Sequence, residues 1–200
     1  PGVARVAPFV TGFAQLIGPD GRAVAEDDAS ATGSNWIDAA DINPFQVRRG
    51  RAPVGDEEIV IDAAASRRTG YGPGDRATVV TAGGAEQFTV VGVAGFGPAD
   101  SRAGTSSVLF TDATAQRLLS EPGRVDGFSV TADDGVSRTE LVGRIRRVLP
   151  TGLSAVSGDE VVARERAAAE DSVGPFKVFM LMFALVAVFV GAFVINNTFS

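Results

Sequence analysis

The sequence predicts an α+β fold: a mixed domain of short strands and helices in two subdomains, leading through a stalk helix into one membrane-spanning helix. Three observations carry this. Short β-type runs alternate with short helical runs in irregular order, which argues against a doubly wound sheet. The body is rich in Gly, Ala, Val, Thr and Asp and poor in aromatics, the mix of short strands and turns. Finally, Val178 to Ile195 carries no charge and no strongly polar side chain, while everything before it reads as an ordinary water-soluble domain. The expected organisation is a core domain over 1–158, a stalk helix over 159–175 and a membrane helix over 176–200.

Each element has its own warrant. Residues 3–17 alternate as a strand does, and Gly18-Pro19-Asp20-Gly21 is a strong turn that predicts a hairpin with a returning strand near Arg22–Ala25. Residues 26–55 predict an irregular stretch in which Trp36, Ile37, Ile42 and Phe45 pin a loop. Glu58–Ile61 predicts a short buried strand, and Asp62 is placed to cap a brief helix over Ala63–Thr69. Gly70 to Asp75 is a turn cluster. Ala77–Val80 and Gln87–Val93 predict a hairpin across Gly83-Gly84. Ser107–Phe110 predicts a strand, followed by a helix through Leu119 capped by Thr111 or Asp112. Phe128–Thr131 predicts a further strand. Ser137–Leu149 predicts a helix with Leu141, Ile145, Val148 and Leu149 inward, and Leu153–Val156 a last short strand. Asp159 opens a polar helix in which Glu160 precedes Arg164 by four residues, a favourable order.

The apolar run is long enough to cross a bilayer. Eighteen residues at about 1.5 Å each cover about 27 Å, close to the roughly 30 Å hydrocarbon thickness. Ala184, Ala187 and Gly191 recur at spacings of three and four, so one helix face is small and suited to close helix packing. Membrane lipid is therefore an expected partner, and neighbouring helices are expected on that face. Starting at Pro1-Gly2, with neither an initiator Met nor a signal-peptide core, the chain reads as a piece of a longer polypeptide.

Composition closes off several kinds of chemistry. With no Cys and no His, disulfides, Cys/His zinc sites, Cys nucleophiles and His-based triads are excluded. A net charge of -6 repels a nucleic-acid backbone, so no nucleic-acid partner is expected. The densest basic group, Arg48, Arg49 and Arg51, predicts a solvated loop. Carboxylates adjoin at Asp27/Asp28, Asp56/Glu57/Glu58 and Asp133/Asp134, but adjacent residues in turns point apart, whereas glycosidase chemistry needs two facing groups. Gly70, Gly72 and Gly74 fit neither a Walker loop, since the only Lys is Lys177, nor a dinucleotide fingerprint, since a strand follows. No catalytic constellation, cofactor site or metal site is expected, and the chain reads as a non-enzyme.

Three stretches together resemble a known family. Arg49-Gly50-Arg51-Ala52-Pro53, Asp56-Glu57-Glu58-Ile59-Val60-Ile61-Asp62, and Gly74-Asp75 with Phe88-Thr89-Val90-Val91-Gly92-Val93 are similar to the MacB-like periplasmic core domain. That domain occurs in ABC transporter permeases of the FtsX/MacB/LolC class. Val190 to Ser200 is similar to the start of the FtsX-like permease helix that follows it. The resemblance implies a plasma-membrane location with residues 1–175 extracytoplasmic, a cytoplasmic ABC ATPase partner and a permease dimer. It also implies an output at the cell envelope, acting on an envelope protein, a peptide or a lipoprotein by export or mechanotransmission. The competing reading is a single-span, membrane-anchored module that binds an envelope ligand; a third is a tethered hydrolase using its carboxylates.

Overall fold

The computed structural model describes residues 2–24, 30–102, 105–121, 123–161, 180, 182 and 183, and structural statements below concern these residues. The chain divides into two units, Pro1–Asp134 and Gly135–Ser200.

The first unit is built on a sheet that closes on itself. Its strands are β1 (Val3–Phe9), β2 (Thr11–Ile17), β3 (Ser30–Asn35), β4 (Phe45–Gly50), β5 (Glu58–Asp62), β6 (Arg76–Thr81), β7 (Gly84–Phe96), β8 (Thr105–Phe110) and β9 (Gly127–Ala132). The larger sheet runs β4-β7-β5-β8-β3-β2-β6, and β6 pairs again with β7, so six strands form a ring. Closure depends on β7, whose 13 residues span about 43 Å at roughly 3.3 Å each. Its first half pairs antiparallel with β6, and its second half pairs with β5 and β4. A β-bulge at Val91 lets one strand do both: Ile59 faces Val90, but Val60 faces Gly92. Closing the ring leaves fewer open edges for unwanted pairing.

The period-2 alternation of these strands fills the ring. Ala14 and Leu16, Ile59 and Ile61, Ala77 and Val79, Phe88 and Val90, and Val108 and Phe110 belong to one buried cluster. Phe88 meets Phe110 edge-on at 5.4 Å. The intervening residues Val60 and Leu109, with Val91 and Ala94, form a second cluster covered by Trp36 and Phe45. Two short helices complete the core. Helix α1 (Ala63–Thr69) is capped by Asp62, as the sequence predicts, and ends at Gly70, whose φ of 78° needs a residue without Cβ. Helix α2 (Asp112–Leu119) is capped by Thr111 rather than Asp112 and contributes Ala115 and Leu118 to the core. Its Leu119 lies against Gly12 and Gly33, where an added Cβ would come within 3.0 Å and 3.1 Å of that side chain.

Several expectations are corrected. The predicted return strand near Arg22–Ala25 is reduced to one bridge, Ile17 to Ala23, with Val24 N–H donating to Leu16. The stretch expected to be irregular contains β3 and β4. The strand expected at Leu153–Val156 is absent; Leu153 is 65% exposed.

In the second unit, helix α3 (Arg138–Arg146) starts on the Ser137 cap and buries Leu141. Val148, expected to face inward, lies beyond the helix and is 79% exposed. Arg146 donates to the Ala155 carbonyl, and Arg138 pairs with Asp159. A new helical turn runs over 158–161, where Ser157 Oγ accepts from Glu160 N–H at 3.2 Å. Of the predicted stalk and membrane helices, only residues 159–161, 180, 182 and 183 are described. Ala184, Ala187 and Gly191 lie outside the described residues. No helix among the described residues is long and apolar enough to cross a membrane.

Candidate functional site

The structure places the charged groups singled out in the sequence that fall among the described residues. Glu58 receives both Arg51 guanidinium nitrogens, at 2.7 and 2.5 Å, and the Val54 and Gly55 N–H groups at 2.9 and 3.0 Å. The Arg51 hydrogen bonds, then those N–H donors, lower its carboxyl to about 2. Its neighbour Asp56 offers only its backbone carbonyl to Thr114 Oγ1. Asp133 accepts from Asp134 N–H, and Asp27/Asp28 lie outside the described residues. No trio of His, Cys, Asp or Glu among the described residues is placed to hold a metal. Gly72 N–H donates to Asp75 Oδ2 and Gly74 N–H to the Val90 carbonyl, which makes this segment a turn tied to β7.

The Arg48/Arg49/Arg51 group is not a solvated loop. Arg48 and Arg49 belong to β4, and Arg48 clamps the Pro98 and Ala99 carbonyls while sharing Asp100 with Arg67. Arg48 is the main cause that holds the Asp100 carboxyl below its ordinary range. Arg48 and Arg51 each fasten a loop to the sheet.

The most suggestive geometry is where the chain joins its closed sheet. Strands β1 and β9 pair antiparallel as a two-stranded ribbon, with Val3 opposite Ala132 and Phe9 opposite Gly127. Beyond them Asp133 N–H donates to the Gly2 carbonyl at 3.0 Å. Residues near the two ends of the first unit therefore meet at the same end of one ribbon, although about 130 residues lie between.

The other end of the ribbon is locked to the closed sheet by two side chains. Asn35, buried at the end of β3, accepts from Val10 N–H at 2.8 Å and donates to the Pro8 carbonyl at 3.1 Å and Asp112 Oδ1 at 2.7 Å. Its own N–H donates to the Val10 carbonyl, so it grips the β1–β2 corner from both sides. Asp126 accepts from the Thr11 N–H at 2.6 Å and the Thr11 hydroxyl at 3.1 Å, and its N–H donates to Phe9. Sequence reasoning missed both residues. Asn35 ends a run of small polar residues with no motif, and its partners come from three distant segments.

Beside the ribbon lies a shallow groove of about 480 Å³, between β1 and the segment 37–42. Its floor is apolar, from Val6, Pro8, Ile37 and Ile42, and Asp38 and Asp112 stand on its rim. Arg5 on the same strand is held by Asp41 at 2.8 Å.

The family model for the MacB-like periplasmic core domain matches residues 1–148. The chain is 29% identical over 143 residues to an uncharacterized ABC transporter permease protein of Mycobacterium tuberculosis. That match covers 70% of this chain and 16% of the relative's length, so the chain spans a small part of that relative. Among solved structures, the periplasmic region of MacB from Actinobacillus actinomycetemcomitans aligns with a TM-score of 0.49 at 17% identity, over 74% of this chain and 68% of that one. A domain of a putative permease protein from Porphyromonas gingivalis aligns with a TM-score of 0.47 at 14% identity, over 74% and 69%.

Proposed function

Because this chain belongs to the MacB-like periplasmic core domain family, we propose that it is the extracytoplasmic part of an ABC transporter permease and works as a passive, non-catalytic mechanical element. In this reading residues 1–175 lie outside the plasma membrane, and 176–200 begin the permease's membrane helices. A cytoplasmic ATPase partner drives motions of a permease dimer, which the domain passes on at the envelope for export or for work on an envelope protein, peptide or lipoprotein. The small face of Ala184, Ala187 and Gly191 packs on a neighbouring membrane helix.

The observation that supports it is the ribbon. Gly2 and Asp133, near the two ends of the first unit, meet at one end of β1 and β9, while Asn35 and Asp126 fasten the other end to the closed sheet. A displacement delivered to Gly2 and Asp133 together moves the ribbon as one piece. The closed sheet follows, because buried Asn35 is hydrogen-bonded on both sides of the β1–β2 corner and exposed Asp126 ties Thr11 to the start of β9.

The absence of Cys makes a direct test clean. Val54, 78% exposed on the first unit, is replaced by Cys in the intact permease. A membrane-impermeant maleimide should label it in intact cells. Spin labels there, in the permease–ATPase complex, should change their separation on ATP binding. Asn35→Ala should leave ATP hydrolysis intact and abolish that change. Labelling only after lysis, or a separation that ignores ATP, would refute the proposal.

A further inference from the structure

We propose that the groove between β1 and the segment 37–42 takes an extended, basic strand of an envelope partner, laid along the outer edge of β1. Three independent features converge there.

The first is backbone geometry. Phe9 accepts from Asp126 N–H at its β9 side, and the register steps by two through Ala7 and Arg5. These three residues therefore sit in the hydrogen-bonded pairs, and the peptide groups of Val6 and Pro8 point away from β9. The Pro8 carbonyl confirms the parity, because it faces Asn35. Asn35 takes up that carbonyl, and the outward N–H and C=O of Val6 face the groove, where an added strand can pair with them.

The second feature is the floor. Val6 is 57% exposed, and with Ile37 and Ile42 it offers apolar contact to every second side chain of an incoming strand.

The third is charge. Arg5 is neutralised by Asp41, which leaves Asp38 and Asp112 on the rim and a net charge of about -2 across the groove. An acidic or neutral strand gains nothing from that rim, whereas Lys or Arg at alternate positions does. The partner segment is thus apolar on one face and basic on the other. Docking is independent of mechanical coupling, since it needs neither the ATPase nor the other permease helices.

Trp36, the only tryptophan, packs over the second core cluster and not in the groove, so binding is read from the anisotropy of a dye on the peptide. The full 200-residue chain in detergent micelles is titrated with an eight-residue peptide of alternating Lys and Val, and separately with the Glu–Val counterpart. The basic peptide should shift that anisotropy saturably and bind at least about tenfold more tightly than the acidic one. Asp38→Asn with Asp41→Asn, both exposed, should weaken it by roughly tenfold. Val6→Pro removes the outward donor while sparing the β1–β9 ladder, and should abolish saturable binding. Equal affinity for the two peptides, no saturable shift, or full binding by either variant overturns the proposal. Should Val6→Pro fail to fold, the double Asn variant decides alone.

Discussion

Asp62 holds two parts of the core together, and removing its carboxylate should cost more than a helix cap. Its Oδ1 accepts from Ala65 N–H at 2.7 Å, the first turn of α1, and Oδ2 accepts from Ser107 N–H at 2.5 Å on β8. Asp62→Ala loses the cap, about 1 kcal/mol, and leaves the Ser107 N–H buried without an acceptor, about 1–3 kcal/mol. The sum is about 2–4 kcal/mol, or a fall in Tm of about 4–16 °C at roughly 2–4 °C per kcal/mol for a unit of this size. Asp62→Ser separates the two parts: its hydroxyl can still cap α1 but cannot bridge to β8, so it should recover only the first kilocalorie. Burial pushes the Asp62 carboxyl up, against the Ala65, Ser107 and Ala64 N–H groups and Arg67, which pull it down. A folded value above the unfolded one means that the protonation-linked stability is complete below the ordinary value of 3.8 and is lost as pH rises through the folded value. The gap between wild type and Asp62→Ala should therefore be widest in acid and narrow toward neutral pH. Thermal unfolding of the full chain in detergent, followed by Trp36 fluorescence, measures all of this. A loss under 1 kcal/mol for Asp62→Ala, or a gap that widens as pH rises, would refute the account.

Glu58 should show the opposite sign. Its carboxyl is held at about 2 instead of 4.5, chiefly by Arg51, so its contribution is present above 4.5 and disappears as pH falls toward 2. Glu58→Gln should unfold earlier than wild type at neutral pH and match it near pH 2; the same Tm scans check both ends. Gly50→Ala should be among the most damaging single-methyl changes. Gly50 has φ of 75°, and a Cβ there would fall 2.2 Å from the Val91 carbonyl and 2.8 Å from the Pro73 ring. The strain and the clash should together cost about 2–4 kcal/mol, read as a lower urea midpoint at unchanged slope.

What the sequence alone determined about this protein is the chemistry it cannot do and the elements whose signals are local. Lack of His and Cys excludes its reactions without reference to shape. Strands β5, β6, β7 and β8, the cap Asp62 and the pair Thr111/Asp112 as cap candidates were legible because alternation and capping act over a few neighbouring residues. Of the family stretches, Asp56–Asp62 and Phe88–Val93 lie largely on β5 and β7, while Arg49–Pro53 runs from the end of β4 into a loop. Tertiary structure decided the rest. Strand β3 reads SATGSN, with no apolar alternation, yet it is a central strand: Gly33 is required small because Ala14 and Leu119 occupy the space, a demand made by distant residues. The basic run of β4 resembles a loop because its charges are spent on carbonyls and carboxylates some 50 residues away. Closure of the sheet rests on a bulge at Val91 that changes the phase of β7, and one-dimensional periodicity cannot carry a change of phase. The ribbon, its anchors Asn35 and Asp126, and the groove beside it join residues separated by up to about 130 positions. Their function comes from proximity that only the packed chain creates.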